Sequence, residues 1–147
     1  MTEDAAPYKP SDPELRALLG EAQTIAVVGL SSNPNRESLS IARYLQDKGY
    51  RIIPVNPTET EVLGEKAYPT LLDVPDKVDV VDVFRKPSAT PEIAEQAVKI
   101  GAKVLWLQTD IVNDEARRIA EGAGLDVIMG VCIRTTHRRL SESEVGR

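Results

Sequence analysis

The sequence predicts an α/β fold: a doubly wound parallel sheet of about five strands, with helices on both faces. Three observations carry this. Five short runs are nearly continuous in apolar residues, as strands covered on both faces must be. Between them, apolar residues recur at helical spacing. Glycine, proline or asparagine punctuates the junctions. The length, 147 residues, suits one domain that buries most of its surface without a disulfide or metal. No internal repeat or linker divides it. Residues 1–147 therefore read as one domain with flexible ends at about 1–10 and 141–147.

The elements follow in order. Ser11-Asp-Pro-Glu14 has the form of a capping box, and Leu15, Leu18 and Leu19 share one face of the helix it opens. Thr24 to Gly29 is the first strand. A polar loop, Leu30 to Glu37, leads to a helix over Ser38 to Lys48, with Ile41, Ala42 and Leu45 inward and Gly49 as the stop. Arg51 to Val55 is the second strand, and Pro54, which lacks an amide donor, is expected at its end. Asn56 to Asp76 is irregular, with a short strand near Lys66 to Tyr68. Val78 to Phe84 is the third strand. Thr90 as N-cap and Pro91 at the first helical position open the next helix, whose inner stripe is Ile93, Ala94, Ala97 and Val98. Lys103 to Leu107 is the fourth strand. A helix over Val112 to Gly122 turns Ala116, Ile119 and Ala120 inward, and Asp126 to Met129 is the fifth strand. Cys132 to Leu140 reads as a last short helix. Right-handed crossovers leave few topologies, and the expected strand order is 3-2-1-4-5.

Bulk composition narrows the function. Eighteen Lys and Arg stand against 23 Asp and Glu, a net charge of −5, which argues against general nucleic-acid binding. One Cys and one His cannot make a classical zinc site or an intrachain disulfide, and no metal ligands are expected. No run is long and apolar enough for a membrane span. The N-terminus has no basic start followed by an apolar stretch, so a cytoplasmic location is expected.

In such sheets ligands bind beyond the carboxyl ends of the strands. After the first strand, Gly29-Leu-Ser-Ser-Asn-Pro-Asn-Arg36 precedes a helix. Ser31, Ser32, Ser38, free amides at the helix N-terminus and Arg36 would suit an anion, although the same residues also make a plain capped turn. After the second strand, Asn56-Pro57 stands where NAD-binding domains place an acid, which lowers NAD as a candidate. Pro57 offers a flat apolar surface and Asn56 a hydrogen bond, or the pair is a simple turn. After the third strand, Phe84-Arg85-Lys86 could stack a base and hold a phosphate, with Phe84 equally suited to the core. Trp106 reads as core and Gln108 as the better polar contact. Cys132 is either a small buried hydrophobe or a thiol facing a ligand. His137, five residues on, gives little support to a Cys–His pair.

Four segments together resemble the small CoA-binding domain family, related to the N-terminal domain of the succinyl-CoA synthetase alpha subunit. They are Val28-Gly-Leu-Ser-Ser-Asn-Pro-Asn-Arg36, Gly49-Tyr-Arg-Ile-Ile-Pro-Val-Asn-Pro57, Val80-Val-Asp-Val-Phe-Arg-Lys-Pro87, and Cys132 to Leu140 with its His-Arg-Arg-Leu ending. The resemblance spans about Leu15 to Leu140. It implies a Rossmann-like fold holding coenzyme A. By this analogy Gly29, Leu30, Ser31, Ser32, Asn33, Pro34 and Arg36, with Ser38, cradle the diphosphate. Val55, Asn56, Pro57, Phe84, Arg85 and Lys86 flank the adenosine, Gln108 continues the cleft, and Cys132 lies near the pantetheine thiol. Glu37-Ser-Leu39 departs from the Pro-Ser-Tyr often found there and sets an acid beside the anion site.

No carboxylate pair, metal cluster or serine triad is legible, and no catalytic residue is assigned. The sequence thus points to a coenzyme A-binding protein without its own catalytic centre: a sensor, carrier or regulatory module, with CoA or acyl-CoA as ligand and room for a homo-oligomer or enzyme partner. The alternative is an NAD(P)- or CoA-linked enzyme subunit whose catalytic group comes from a partner.

Overall fold

The computed structural model describes residues 5–145, with side chains as far as Glu142. Five parallel strands form one sheet: β1 (Thr24–Val28), β2 (Arg51–Val55), β3 (Val80–Val83), β4 (Val104–Leu107) and β5 (Asp126–Ile128). Among the described residues five α-helices accompany them: α1 (Asp12–Glu21), α2 (Glu37–Asp47), α3 (Thr90–Lys99), α4 (Asp114–Gly122) and α5 (Ile133–Val145). The strands alternate sides, as a pleated chain must. Ala26, Val28, Val81, Val83, Leu105 and Leu107 pack with Ile93, Ala94, Ala97, Ala116 and Ala120 of α3 and α4. Ile25, Val27, Val80, Val104 and Trp106 pack on the other face with residues of α1, α2 and α5. Helices on both faces and continuous apolar strands are therefore one fact. The expected α/β, Rossmann-like doubly wound architecture is the one the chain adopts.

The strand order is 2-1-3-4-5, not the expected 3-2-1-4-5. Pro54 supplies the physical reason. It lies inside β2, paired with Val27, rather than at the strand's end. In the expected order β2 would be an inner strand, and the missing amide would break its second ladder. In the observed order β2 is an edge. Arg51 donates to the Gln23 carbonyl and Val55 accepts from Gly29, so these residues face β1. Pro54 faces outward, where its carbonyl accepts from the Tyr68 amide at 3.0 Å.

Smaller differences are also local chemistry. Thr90 is the first residue of α3 rather than its cap, because a 3-10 turn over Pro87–Ala89 comes before it. The Thr90 hydroxyl donates to the Pro87 carbonyl at 2.7 Å. The short strand expected near Lys66 to Tyr68 is a two-residue hairpin, Glu61–Val62 with Glu65–Lys66, followed by a bridge from Tyr68 to Val55. The last helix is longer than expected and reaches Val145. Of the expected flexible ends, residues 1–4 and 146–147 lie outside the described residues. Tyr8 exchanges two backbone hydrogen bonds with Met129, just past β5. Among the described residues, no helix is long and apolar enough to cross a membrane.

Candidate functional site

Strand order reverses between β1 and β3, and there the loops leaving the two strands part. Gly29 makes that parting possible. Its φ is +92°, and a Cβ there would lie 2.7 Å from the Phe84 carbonyl oxygen, so only glycine lets the two backbones run this close. Beyond the contact opens a cleft of about 310 Å³, continuous with solvent. That lies at the low end of the roughly 300–1,000 Å³ of small-molecule sites. Its walls are Gly29, Arg36, Glu37, Ser38, Phe84, Arg85, Lys86 and Ile111.

Six of the residues expected at the site thus meet here: Gly29, Arg36, Ser38, Phe84, Arg85 and Lys86. Glu37 and Ile111 join them. Ile111 lies in the loop after β4, a place that any doubly wound sheet turns toward its binding rim. Three cations face one acid. The N-terminus of α2 opens into the cleft with no side chain capping it. The uncapped end of a helix carries unpaired amides and a partial positive charge.

Most amides along the first loop itself are already occupied. Ser31 N–H donates to Ser38 Oγ, Asn33 N–H to Ser31 Oγ, and Asn35 N–H to Asn33 Oδ1. Ser32 gives both its N–H (2.8 Å) and its hydroxyl (3.0 Å) to the Glu59 carboxylate. A polar loop without a regular ladder satisfies its own backbone where it can. The donors left for an anion are the Glu37 and Ser38 amides at the start of α2, since the Leu39 amide donates to the Arg36 carbonyl at 3.2 Å, and the cationic side chains.

The other expected residues sit around the cleft rather than in its lining. Leu30 and Val55 are core residues. Asn56 is buried; its Nδ2 donates to the Leu30 carbonyl at 3.1 Å and its Oδ1 accepts from Thr58, so it ties the β2 loop to the β1 loop. Ser32, Asn33, Pro34 and Pro57 are exposed on the neighbouring rim. Trp106 is core, as read, and its Nε1 donates to the Val131 carbonyl. Cys132 is half-buried just before α5, and its carbonyl accepts from the Thr136 hydroxyl.

Gln108 is 3% exposed and belongs to a buried network that the sequence alone did not reveal. Its Nε2 donates to Asp82 Oδ1 at 2.5 Å, and its Oε1 accepts from the Ile133 amide at 3.4 Å. Asp82 is fully buried between Val27 and Trp106 on neighbouring strands, and its Oδ2 has no partner. Burial pushes its pKa up from 3.8 to about 7, against the pull of the Gln108 hydrogen bond. A charged residue in an otherwise apolar strand was the available signal. Asp79, three residues earlier, is different: its carboxylate accepts from the amides of Gln23 and Thr24, and its pKa is lowered although burial opposes this. His137 lies away from the cleft, with Nδ1 2.8 Å from the Tyr44 hydroxyl, and burial followed by Lys48 lowers its pKa. Among the described residues no group of three acidic, Cys or His side chains could hold a metal.

A family described as "CoA binding domain" matches residues 23–138. The chain is 42% identical over 128 residues to the uncharacterized protein YneT of Bacillus subtilis, covering 87% of this chain and 95% of that one. A solved structure of a hypothetical protein from Pyrococcus horikoshii superposes with a TM-score of 0.89 at 43% identity, covering 95% of this chain and 99% of the other. The ADP-forming acetate–CoA ligase II of Archaeoglobus fulgidus is 30% identical over 111 residues, which is 74% of this chain but only 16% of the ligase. On the family match and the near full-length relatives together, the chain belongs to the CoA-binding domain family.

Proposed function

We propose that this chain binds coenzyme A in the cleft between the β1 and β3 loops and acts as a sensor, carrier or regulatory module without chemistry of its own. One observation carries the reading: the uncapped N-terminus of α2 opens into a cleft whose walls bring Arg36, Arg85 and Lys86 together. Helix amides plus cations are what a diphosphate needs. In this reading Ser31, Ser32, Ser38 and Arg36 hold the diphosphate. Phe84, half-buried at the rim and packed in part against the core, offers the exposed part of its ring to adenine, and Asn56 and Pro57 flank the nucleoside from the β2 side. Gln108 serves from behind by holding the start of α5, and Cys132 stands toward the thiol end.

Calorimetric titration of the reduced protein with CoA, beside NAD and 3′-dephospho-CoA, tests this. Saturable binding of CoA and none of NAD is expected. A preference for NAD, or no CoA binding, overturns the reading while leaving the fold intact.

A further inference from the structure

The first loop contains one pair of donors held by an anion from another part of the chain. Ser32 N–H and Ser32 Oγ both point at Glu59 Oε2, at 2.8 and 3.0 Å. The neighbouring amides of Ser31, Asn33 and Asn35 are satisfied by side chains of the same loop or of α2. Glu59 comes instead from the loop after β2. Its backbone is set by Asn56, whose carbonyl accepts from the Glu59 amide at 3.2 Å and whose Nδ2 holds the Leu30 carbonyl. An amide and a hydroxyl converging on one oxygen make an oxyanion site, whether the oxygen belongs to a carboxylate or a phosphate. Ser32 is exposed and Glu59 half-buried, so water and ligands can reach the pair.

We propose that Glu59 is a built-in competitor that occupies the Ser32 donors in the free protein and must leave before a ligand's phosphate oxygen takes them. This rests on the reading of Ser32 as a phosphate contact. Binding is then an exchange of one anion for another on the same two donors. The displaced carboxylate returns to water at the rim, and its repulsion of the arriving phosphate limits affinity. Glu59 therefore tunes how tightly the cleft holds a diphosphate. The opposite role is a brace, in which Glu59 holds the loop in a binding-competent shape and its loss weakens the ligand.

Two variants separate the roles. Glu59→Gln keeps an acceptor for Ser32 and so keeps a brace, but removes the charge. Glu59→Ala removes both. Calorimetry with CoA is expected to show affinity tightened about two- to fivefold in both, the scale of a solvent-exposed charge interaction. Unchanged affinity in Glu59→Gln with a loss in Glu59→Ala makes Glu59 a brace and overturns the inference. Inorganic pyrophosphate, followed at the Ser32 amide by 15N–1H spectra, provides an arm independent of the nucleoside. A Ser32 shift at lower pyrophosphate concentration in Glu59→Gln than in the wild type supports the exchange. A Ser32 amide that neither pyrophosphate nor CoA moves overturns it. If CoA fails to bind any of the three proteins but pyrophosphate shifts Ser32 as described, the coenzyme reading falls and the exchange stands.

Discussion

The rim and the floor of the β1–β3 crevice are two polar regions of opposite character, only two residues apart along β3. At the rim, Phe84 and Arg85 are partly exposed and Lys86 is exposed, and the two cations border the open cleft. At the floor, Asp82 is closed off, bonded to Gln108, and through Gln108 to the Ile133 amide. The rim keeps full charges because water screens them. The floor cannot: desolvation makes a lone carboxylate so costly that the group holds its proton to near neutral pH. Depth, rather than residue type, separates a surface that can receive an anion from one that braces the fold.

That contrast makes separable predictions: floor substitutions should change stability, and rim substitutions affinity. The largest effect is at Asp82. Its folded pKa of about 7 lies above the ordinary 3.8, so the folded chain holds a proton that the unfolded chain has released. The stability this confers is fully present below about pH 4 and is lost as pH rises to about 7, roughly 4 kcal/mol in all. Asp82→Asn removes this dependence. Urea unfolding at pH 4, 6 and 8 should therefore show the wild type losing ground to the variant as pH rises. A constant gap would mean that the floor is wet and the contrast false.

Next is the rim. Phe84→Ala should cost about 1–3 kcal/mol of CoA affinity if adenine stacks on the ring. An unchanged dissociation constant with lowered thermal stability would return Phe84 to the packing. Gln108→Leu strips partners from Asp82 Oδ1 and the Ile133 amide and should cost about 2 kcal/mol of stability. CoA affinity should move far less, and a large loss of affinity in a fully stable variant would place Gln108 among the ligand contacts. The smallest effect is at Arg36, which is exposed. Arg36→Ala should weaken CoA about three- to tenfold, an effect that shrinks as salt is raised, with little change in unfolding. Equal affinity at low salt would remove Arg36 from the site.

Much of this was legible in the residues. The five strands show as apolar runs because both faces of each are covered, and Ser11-Asp-Pro-Glu14 forms the capping box it spells. Those signals are local, acting within one turn or one strand. Strand order was not local. It depends on which edges are free, and Pro54 held the clue: an absent amide fits an edge, and reading it as a strand end concealed that β2 is the edge. The site followed the same division. Gly29, Arg36, Ser38, Phe84, Arg85 and Lys86 were named from their loops, but Ile111 joins them only because β3 and β4 are neighbours. The occupied Ser32 amide was hidden because Glu59 lies 27 residues away in the chain.

By itself the sequence determined the fold class, the element boundaries to within a few residues and the family, since hydrophobic period, capping residues and loop motifs are written in contiguous residues. The tertiary structure alone decided which loops meet. Placing β1 beside β3 set the Gly29 and Phe84 backbones in contact, opened the cleft above them and buried Asp82 beneath it. The reason is physical: burial and desolvation depend on every neighbour around a group, and those neighbours come from strands and loops far apart in the chain.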